Sequence, residues 1–299
     1  MLIVGIVIAV LAVLIIAGCF YFAGFALRIR GRSLEEARAW QEEHYDLSWY
    51  DPLEKEDYTV TSYDGYVLHA QLLKNPGNTN RYVITSHGYT DNRFGTMKYA
   101  AMYLEQGFNV IAYDLRGHGL NEPTFTTYSI REGKDLNALI LDSRKRYPNA
   151  SLFGIHGESL GAATTVASLK EKPPIDFAVA DCGFCEITPV IKTVGTRMHL
   201  PVFLVGLVSA CAKLRFGYSF GEMRPIDALQ DNTIPIVFFH GADDDFIPPE
   251  HSKRMKEATK GYTEIHLIPR AEHAMSILTD PKGYRAFVAN FLATQFPGR

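Results

Sequence analysis

The first stretch of the chain is apolar without interruption. Residues 2–27 carry no charged side chain. A helix of that length rises about 1.5 Å per residue and extends about 39 Å, more than the roughly 30 Å hydrocarbon core of a bilayer. The stretch also lacks the basic start and the short apolar core of a cleaved signal peptide. The pattern therefore predicts a single transmembrane helix, although Ile16 to Cys19 resembles a bacterial lipoprotein processing site and keeps cleavage open as an alternative.

The next segment is polar. Three arginines lie within the first five residues after the apolar run. Ser33 and Glu36 then have the spacing of a capping box, in which each side chain bonds the backbone of the other residue, and they predict a helix that runs to about His44. We interpret residues 28–56 as a juxtamembrane linker between the membrane helix and a folded domain.

Beyond this segment the pattern changes to short runs of β-branched and aromatic residues. Asp64-Gly65 separates the first two runs as a hairpin turn would, and helical stretches separate the later ones. Alternation of this kind predicts the α/β class, with a mostly parallel sheet covered by helices on both faces, in one catalytic domain over residues 57–299. The predicted strands are Tyr58–Tyr63, Val67–Leu73, Tyr82–Ser86, Asn109–Tyr113, Ser151–Ile155, Phe177–Ala180, Ile234–Phe239 and Thr263–Ile268.

Composition narrows the class of protein. With 299 residues and 47% apolar content, the chain is long enough for one large α/β domain with a substantial core. Its formal net charge of −3 gives no general attraction for a nucleic-acid backbone, so nucleic acid is not expected as a partner. Four cysteines are too few for a disulfide scaffold in a chain of this size.

The most informative motif is Gly157-Glu158-Ser159-Leu160-Gly161. It follows a predicted strand and precedes a predicted helix, which is the context of a nucleophile elbow. The elbow holds its serine in strained backbone geometry, and the two glycines leave room for the strand and the helix to pack closely. The alternative is that Ser159 is an ordinary helix N-cap, a position that serine favours for unrelated reasons.

A nucleophilic serine needs a histidine base, and the base needs a carboxylate that orients it. In chains with this elbow the acid and the histidine follow the serine, each on a loop after a late strand. Here the strand Ile234–Phe239 leads to an aspartate run at residues 243–245, and Thr263–Ile268 is followed by His273. Both loops occur where that arrangement requires them.

With these motifs the chain resembles the α/β-hydrolases, and more narrowly the uncharacterised membrane-anchored hydrolases of Gram-positive bacteria. The resemblance extends over about residues 58–297. It implies Ser159 as nucleophile, His273 as base and Asp244 as the orienting acid, with Asp243 and Asp245 as neighbours that leave the choice of acid open. The stretches that carry it are Ser86-His87-Gly88-Tyr89-Thr90, Asp114-Leu115-Arg116-Gly117-His118-Gly119, the elbow, His240 to Pro248 and Glu272-His273-Ala274.

The resemblance also implies an oxyanion hole made of two backbone N–H groups, those of Tyr89 and Leu160. It implies structural roles for His87 and His118, which shape the neighbouring loops. His156 stands near the end of a buried strand, where a hydrogen-bonded core histidine is expected. No cofactor is needed for this chemistry, and the histidines have no zinc-binding spacing, so no metal site is predicted.

Two further segments have more than one interpretation. Cys182 and Cys185 form a Cys-x-x-Cys that suggests redox chemistry, but they follow a late strand of the predicted sheet, so we expect buried structural cysteines. Residues 185–225 contain an apolar run that we expect to form a cap over the site; a buried core helix is the alternative. An apolar cap would favour an acyl or other hydrophobic group beside Ser159.

These expectations combine into a membrane-anchored serine hydrolase of ester, thioester or amide bonds, of carboxylesterase or lipase-like character. Its partners are a small-molecule or lipid-like acyl substrate and the membrane. The alternatives are a serine peptidase of the same fold and a catalytically silent binding protein. Arg28, Arg30, Arg32 and Arg38 follow the apolar run, a bias that predicts a cytoplasmic catalytic domain, with the extracellular side as the alternative.

Overall fold

The computed structural model describes residues 1–299, which form eight strands and ten α-helices. The strands are β1 (Lys55–Thr61), β2 (Val67–Leu73), β3 (Arg81–Ser86), β4 (Asn109–Tyr113), β5 (Leu152–Glu158), β6 (Phe177–Asp181), β7 (Ile236–Gly241) and β8 (Thr263–Ile268). The helices are α1 (Leu2–Leu27), α2 (Leu34–His44), α3 (Met97–Glu105), α4 (Ile130–Arg146), α5 (Leu160–Ser168), α6 (Ile187–Arg197), α7 (Val205–Phe216), α8 (Glu250–Ala258), α9 (Ser276–Thr279) and α10 (Pro281–Gln295).

All eight strands belong to one sheet, in the order β1-β2-β4-β3-β5-β6-β7-β8. The pairs β1/β2 and β2/β4 are antiparallel, and every later pair is parallel. Strands β4 to β7 are buried along their whole length, as expected when helices cover both faces of a parallel sheet. The predicted α/β fold with a mostly parallel sheet is confirmed.

Strand β5 is longer than predicted, because its polar end remains in the sheet. The sequence prediction ended at Ile155, where the apolar run stops. In the structure the parallel ladder continues, with Gly157 opposite Ser86 of β3 and Glu158 opposite Asp181 of β6. The strand therefore delivers the chain directly to the elbow at the carboxyl edge of the sheet, where ligand sites of α/β proteins usually lie.

The chain divides into two compact units. The sheet unit, residues 29–185 and 225–299, contains all eight strands, and the helical unit comprises residues 1–28 and 186–224.

Residues 28–56, predicted as a linker, are folded for most of their length. Helix α2 starts with the predicted capping box and ends at His44. Ala37, Leu47 and Tyr50 belong to the core of the sheet unit. Residues 29–56 therefore pack on the sheet unit, to which they belong.

The helical unit is built on the contact between α1 and α7. Cys19, Ala23 and Leu27, at helical spacing, form the buried face of α1, whereas residues 2–17 are exposed. Helix α1 is long and apolar enough to cross a bilayer, a character that membrane anchors and signal sequences share. The expected cap, residues 185–225, contributes α6 and α7 to this unit, and its placement over the site stays a prediction.

Candidate active site

The turn between β5 and α5 has the backbone geometry of a nucleophile elbow. Ser159 has a φ of 53° and a ψ of −113°, in a region that residues other than glycine rarely adopt. A Cβ atom on Gly157 would lie 2.1 Å from the carbonyl oxygen of Gly161, and one on Gly161 would lie 2.1 Å from that of Ser86. Glycine is therefore required at both positions. Ser159 makes no side-chain capping bond to α5, unlike an ordinary N-cap serine.

The hydroxyl of Ser159 instead faces a histidine. Ser159 Oγ lies 2.9 Å from His273 Nε2, and His273 Nδ1 lies 2.7 Å from Asp244 Oδ2. His273 stands on the loop after β8 and Asp244 on the loop after β7, so the carboxyl edge of the sheet brings all three side chains together. The structure thus joins the three predicted residues in one hydrogen-bonded chain.

Asp244 is held as a buried, charged carboxylate. Its Oδ1 accepts the backbone N–H groups of Phe246 and Ile247 at 3.0 and 2.8 Å, and its Oδ2 also lies 3.2 Å from His240 Nε2. Burial alone would raise the pKa of Asp244, but the hydrogen bonds from His240, His273 and Ile247 outweigh it and hold this pKa well below its usual range. Its two neighbours in the aspartate run, residues 243 and 245, are exposed.

The loop after β3 lies against the elbow. A Cβ atom on Gly88 would be 3.7 Å from the Cβ atom of Ser159. The N–H of Leu115 donates to His87 Nε2 at 2.9 Å, so the proton of the neutral ring is on Nδ1, which donates to the carbonyl oxygen of Gly88 at 2.7 Å. Burial lowers the pKa of His87 to about 3, consistent with a neutral ring. His87 therefore orients the peptide whose N–H belongs to Tyr89.

The second predicted donor, Leu160, is the first residue of α5. The first N–H groups of a helix have no partner within the helix, and they lie at its positive end. His118 Nε2 lies 2.8 Å from the carbonyl oxygen of Tyr89, and its Nδ1 lies 3.0 Å from that of Arg116, so the ring joins the loop after β3 to the turn after β4. Both histidines thus hydrogen-bond to backbone groups, and neither hydrogen-bonds to Ser159.

Relatives of known sequence place this chain in a family. Residues 77–214 match the sequence model of the family described as serine aminopeptidase, S33. The uncharacterized protein YqkD of Bacillus subtilis is 32% identical over 247 residues, which cover 81% of this chain and 81% of YqkD. The chain belongs to the α/β-hydrolase superfamily. Its relatives thereby support a hydrolase activity.

Solved structures agree with this α/β-hydrolase fold. An esterase of Pyrococcus furiosus superimposes with a TM-score of 0.69 at 22% identity, over 89% of this chain and 98% of the esterase. An acylaminoacyl peptidase of Pyrococcus horikoshii superimposes with a TM-score of 0.63 at 15% identity, over 85% of this chain and 43% of the peptidase. Esterases and peptidases are thus both among the structural neighbours of this hydrolase.

A buried ion pair supports the elbow of the hydrolase and was missed by the sequence analysis. Lys98, on α3, and Glu158, next to Ser159, have side chains that are only 6% and 7% exposed, and their charged groups are 2.5 Å apart. Lys98 Nζ also donates to the carbonyl oxygen of Ala274 at 3.1 Å, and Tyr99 donates its hydroxyl to Glu158 at 2.6 Å. One ammonium group therefore joins the residue before Ser159 to the residue after His273.

Breaking this pair is expected to destabilise the fold strongly. Lys98→Met leaves the Glu158 carboxylate buried without its cation, which typically costs about 3–5 kcal/mol in the free energy of unfolding. The control is Lys74→Met, which breaks an exposed pair with Glu54 and should cost no more than about 1 kcal/mol. Urea unfolding of both variants measures the difference, and equal stabilities would contradict the expectation.

The remaining polar groups that the sequence singled out are structural in this hydrolase. His156 is buried between two tyrosine hydroxyls, 3.2 Å from that of Tyr103 and 3.3 Å from that of Tyr284, and burial lowers its pKa to about 3. Cys182 and Cys185 are buried thiols that form no disulfide, and burial raises the pKa of the Cys182 thiol well above its usual value. Both observations agree with the expected structural roles, because a buried neutral thiol is a poor nucleophile.

Proposed function

We propose that this chain is a serine hydrolase that cleaves an ester, thioester or amide bond through an acyl-enzyme on Ser159. The observation that carries the proposal is the hydrogen-bonded chain from Asp244 Oδ2 through His273 to Ser159 Oγ, with distances of 2.7 and 2.9 Å. The distance between Ser159 Oγ and His273 Nε2 supports these roles, because a base must lie within about 2.6–3.2 Å of the group whose proton it accepts.

In the first step His273 Nε2 accepts the hydroxyl proton of Ser159 while Ser159 Oγ attacks the carbonyl carbon of the substrate. The charge that develops on the carbonyl oxygen is stabilised by the N–H groups of Tyr89 and Leu160. His273 then gives the proton to the leaving alcohol, thiol or amine. Water repeats the cycle on the acyl-enzyme and releases the acid, and Asp244 stabilises the imidazolium in both halves without taking its proton.

The acid assignment can be tested by its neighbours. Asp244→Asn is expected to lower kcat by about 10⁴-fold, because an amide at this position no longer favours the productive tautomer of His273. Asp243→Asn and Asp245→Asn are the matched controls, since both residues are exposed and each change removes the same charge. We expect less than a fewfold loss in both controls. Steady-state kinetics of the three variants tests the assignment. A large loss of kcat in one of the controls would assign the orienting acid to that residue instead of Asp244.

Carboxylesterase or lipase-like chemistry is the form of the proposal that we favour, acting on a small-molecule or lipid-like acyl substrate. Cleavage of aminoacyl or peptide substrates is the second candidate, and the description of the matching family as serine aminopeptidase supports it. A catalytically silent binding protein is disfavoured by the intact Ser–His–Asp arrangement.

The experiment for the proposed activity is labelling with a fluorophosphonate, followed by hydrolysis of acyl esters of graded chain length and of aminoacyl amides. A modified peptide that contains Ser159 together with ester turnover supports the esterase. Faster turnover of the amides supports the peptidase. A folded chain that is neither labelled nor active would contradict both hydrolase candidates and favour the catalytically silent binding protein.

We further propose that α1 anchors the hydrolase in the cell membrane, with its catalytic part in the cytoplasm. The support is the length and apolar character of α1 and the basic residues that follow it, since Lys and Arg near a membrane helix favour the cytoplasmic side. Protease treatment of intact cells or protoplasts tests the orientation. Protection until lysis supports it, whereas loss of the catalytic part before lysis would place the enzyme outside.

A further inference from the structure

A stripe of exposed apolar residues follows one face of α7 and the turn before it. The stripe consists of Phe203, Leu207, Ala210 and Leu214, at spacings of four, three and four residues that bring all of them to the same side of a helix. The three large members, Phe203, Leu207 and Leu214, are 85%, 39% and 79% exposed. The surface of a soluble protein rarely presents so regular an apolar row, so this stripe indicates an interaction surface.

The concentration of exposed apolar residues distinguishes this part of the chain from the sheet unit. Between residues 186 and 224 the large exposed apolar residues are Met198, Val202 and the three large members of the stripe. Over the much longer sheet unit they are Tyr63, Val67, Leu120, Leu141, Tyr262, Leu267 and Phe287. Scattered exposed apolar residues of that kind need no explanation, whereas a cluster marks an interaction surface.

The stripe lies on a helix that is joined to the apolar helix α1. The side of α7 that is buried in the protein carries Val205, Cys211 and Ala212, and Arg215 of α7 donates to the carbonyl oxygen of Phe20 in α1 at 3.4 Å. The exposed part of α1, residues 2–17, is apolar throughout. The two exposed apolar surfaces therefore belong to one packed pair of helices.

Charge points to the same partner. Residues 186–224 contain five Lys and Arg and two Asp and Glu, although the whole chain carries a formal net charge of −3. An apolar helical face combined with a surplus of basic residues is the character of a helix that lies in the interface of an anionic bilayer. A second copy of this segment, with its net positive charge, would meet like charge instead.

We infer that the stripe on α7 lies in the interfacial layer of the same membrane that α1 enters, with Phe203, Leu207 and Leu214 among the upper acyl chains and the basic side chains at the headgroups. The inference rests on the proposed anchoring by α1 and goes beyond it, because a membrane anchor alone would leave α7 in water. It gives the hydrolase two membrane contacts, one that spans the bilayer and one that lies in its surface.

The test is the depth of a fluorophore in liposomes that contain the full chain. Single cysteines labelled with an environment-sensitive probe are placed in the stripe, as Phe203→Cys and Leu214→Cys, and quenched by lipids that carry a nitroxide at the headgroup or along the acyl chain. The matched control is Lys213→Cys, next to Leu214 but about 100° around the helix. Leu14→Cys in α1 and Tyr63→Cys in the sheet unit give the membrane and solvent references. The four native cysteines are buried, so the parent chain is the labelling control.

We expect the probes at 203 and 214 to be quenched at least twofold more by shallow acyl-chain nitroxides than the probes at 213 and 63. Quenching at position 14 without quenching at 203 and 214 would overturn the inference and leave the anchor intact. The absence of quenching at all positions, 14 included, would refute the anchor and the stripe together. Blue-shifted but unquenched probes at 203 and 214 would mean that protein, such as a second copy, covers the stripe.

Discussion

Replacing Ser159 with alanine is expected to lower kcat by about 10⁶-fold and to abolish labelling by a fluorophosphonate. The reason is that Ser159 combines two features of a nucleophile, a forced backbone at a φ of 53° and a hydroxyl 2.9 Å from His273 Nε2. Turnover and labelling of the purified variant measure the effect, and circular dichroism verifies that it is folded.

The matched control for this variant is Ser151→Ala, which removes an exposed hydroxyl from the residue just before β5. It should retain the labelling and the kcat of the unmodified chain. Undiminished labelling of Ser159→Ala would assign the nucleophile to another residue and refute the proposed mechanism.

The second large effect is expected at His273. His273→Ala removes the group that takes the proton of Ser159, and a loss of about 10⁶-fold in kcat is expected, as large as the loss at the nucleophile because the two residues act as a unit. Adding Ser159→Ala to His273→Ala should therefore lower kcat little further. Kinetics of the two single variants and the double variant test this, and multiplying losses would show that the residues act independently.

His156→Ala is the control for His273→Ala, since it removes the same side chain from a buried position three residues before the nucleophile. The ring of His156 packs 4.2 Å from that of Tyr99, measured between ring centres, and bonds two tyrosine hydroxyls. Its loss should cost about 2–4 kcal/mol in the free energy of unfolding through a cavity and unpaired hydroxyls. Folded His156→Ala that turned over as slowly as His273→Ala would contradict the structural role of His156.

Much of the fold was available from local patterns. The alternation of short apolar runs with helical stretches predicted the α/β class, because buried parallel strands and their covering helices each impose their own periodicity. Ser33 and Glu36 predicted the start of α2 because a capping box is a local arrangement of four residues. The elbow was equally visible, since the close approach at Gly157 and Gly161 excludes any side chain.

Spacing along the chain could not decide the polar partnerships of the site. The aspartate run offered three carboxylates in succession, and burial at the sheet edge distinguishes Asp244 from its two exposed neighbours. Lys98 is separated from Glu158 by most of α3, by β4 and α4, and by nearly all of β5, so no motif connects them. Their pairing follows from the fold, because packing brings the Lys98 ammonium group to a carboxylate that would otherwise be buried without a cation.

The sequence by itself determined the character of α1, the order of the elements and the turn that holds Ser159, because these depend on residues close together in the chain. Tertiary structure alone decided that most of the segment after α1 packs into a core, through Ala37 and Tyr50, and that α7 packs on α1. Both are contacts between apolar faces. The sequence shows that such a face is apolar and should be buried, but it does not show which other face covers it. The reason is that the hydrophobic effect is non-directional, so the path of the chain determines which faces meet.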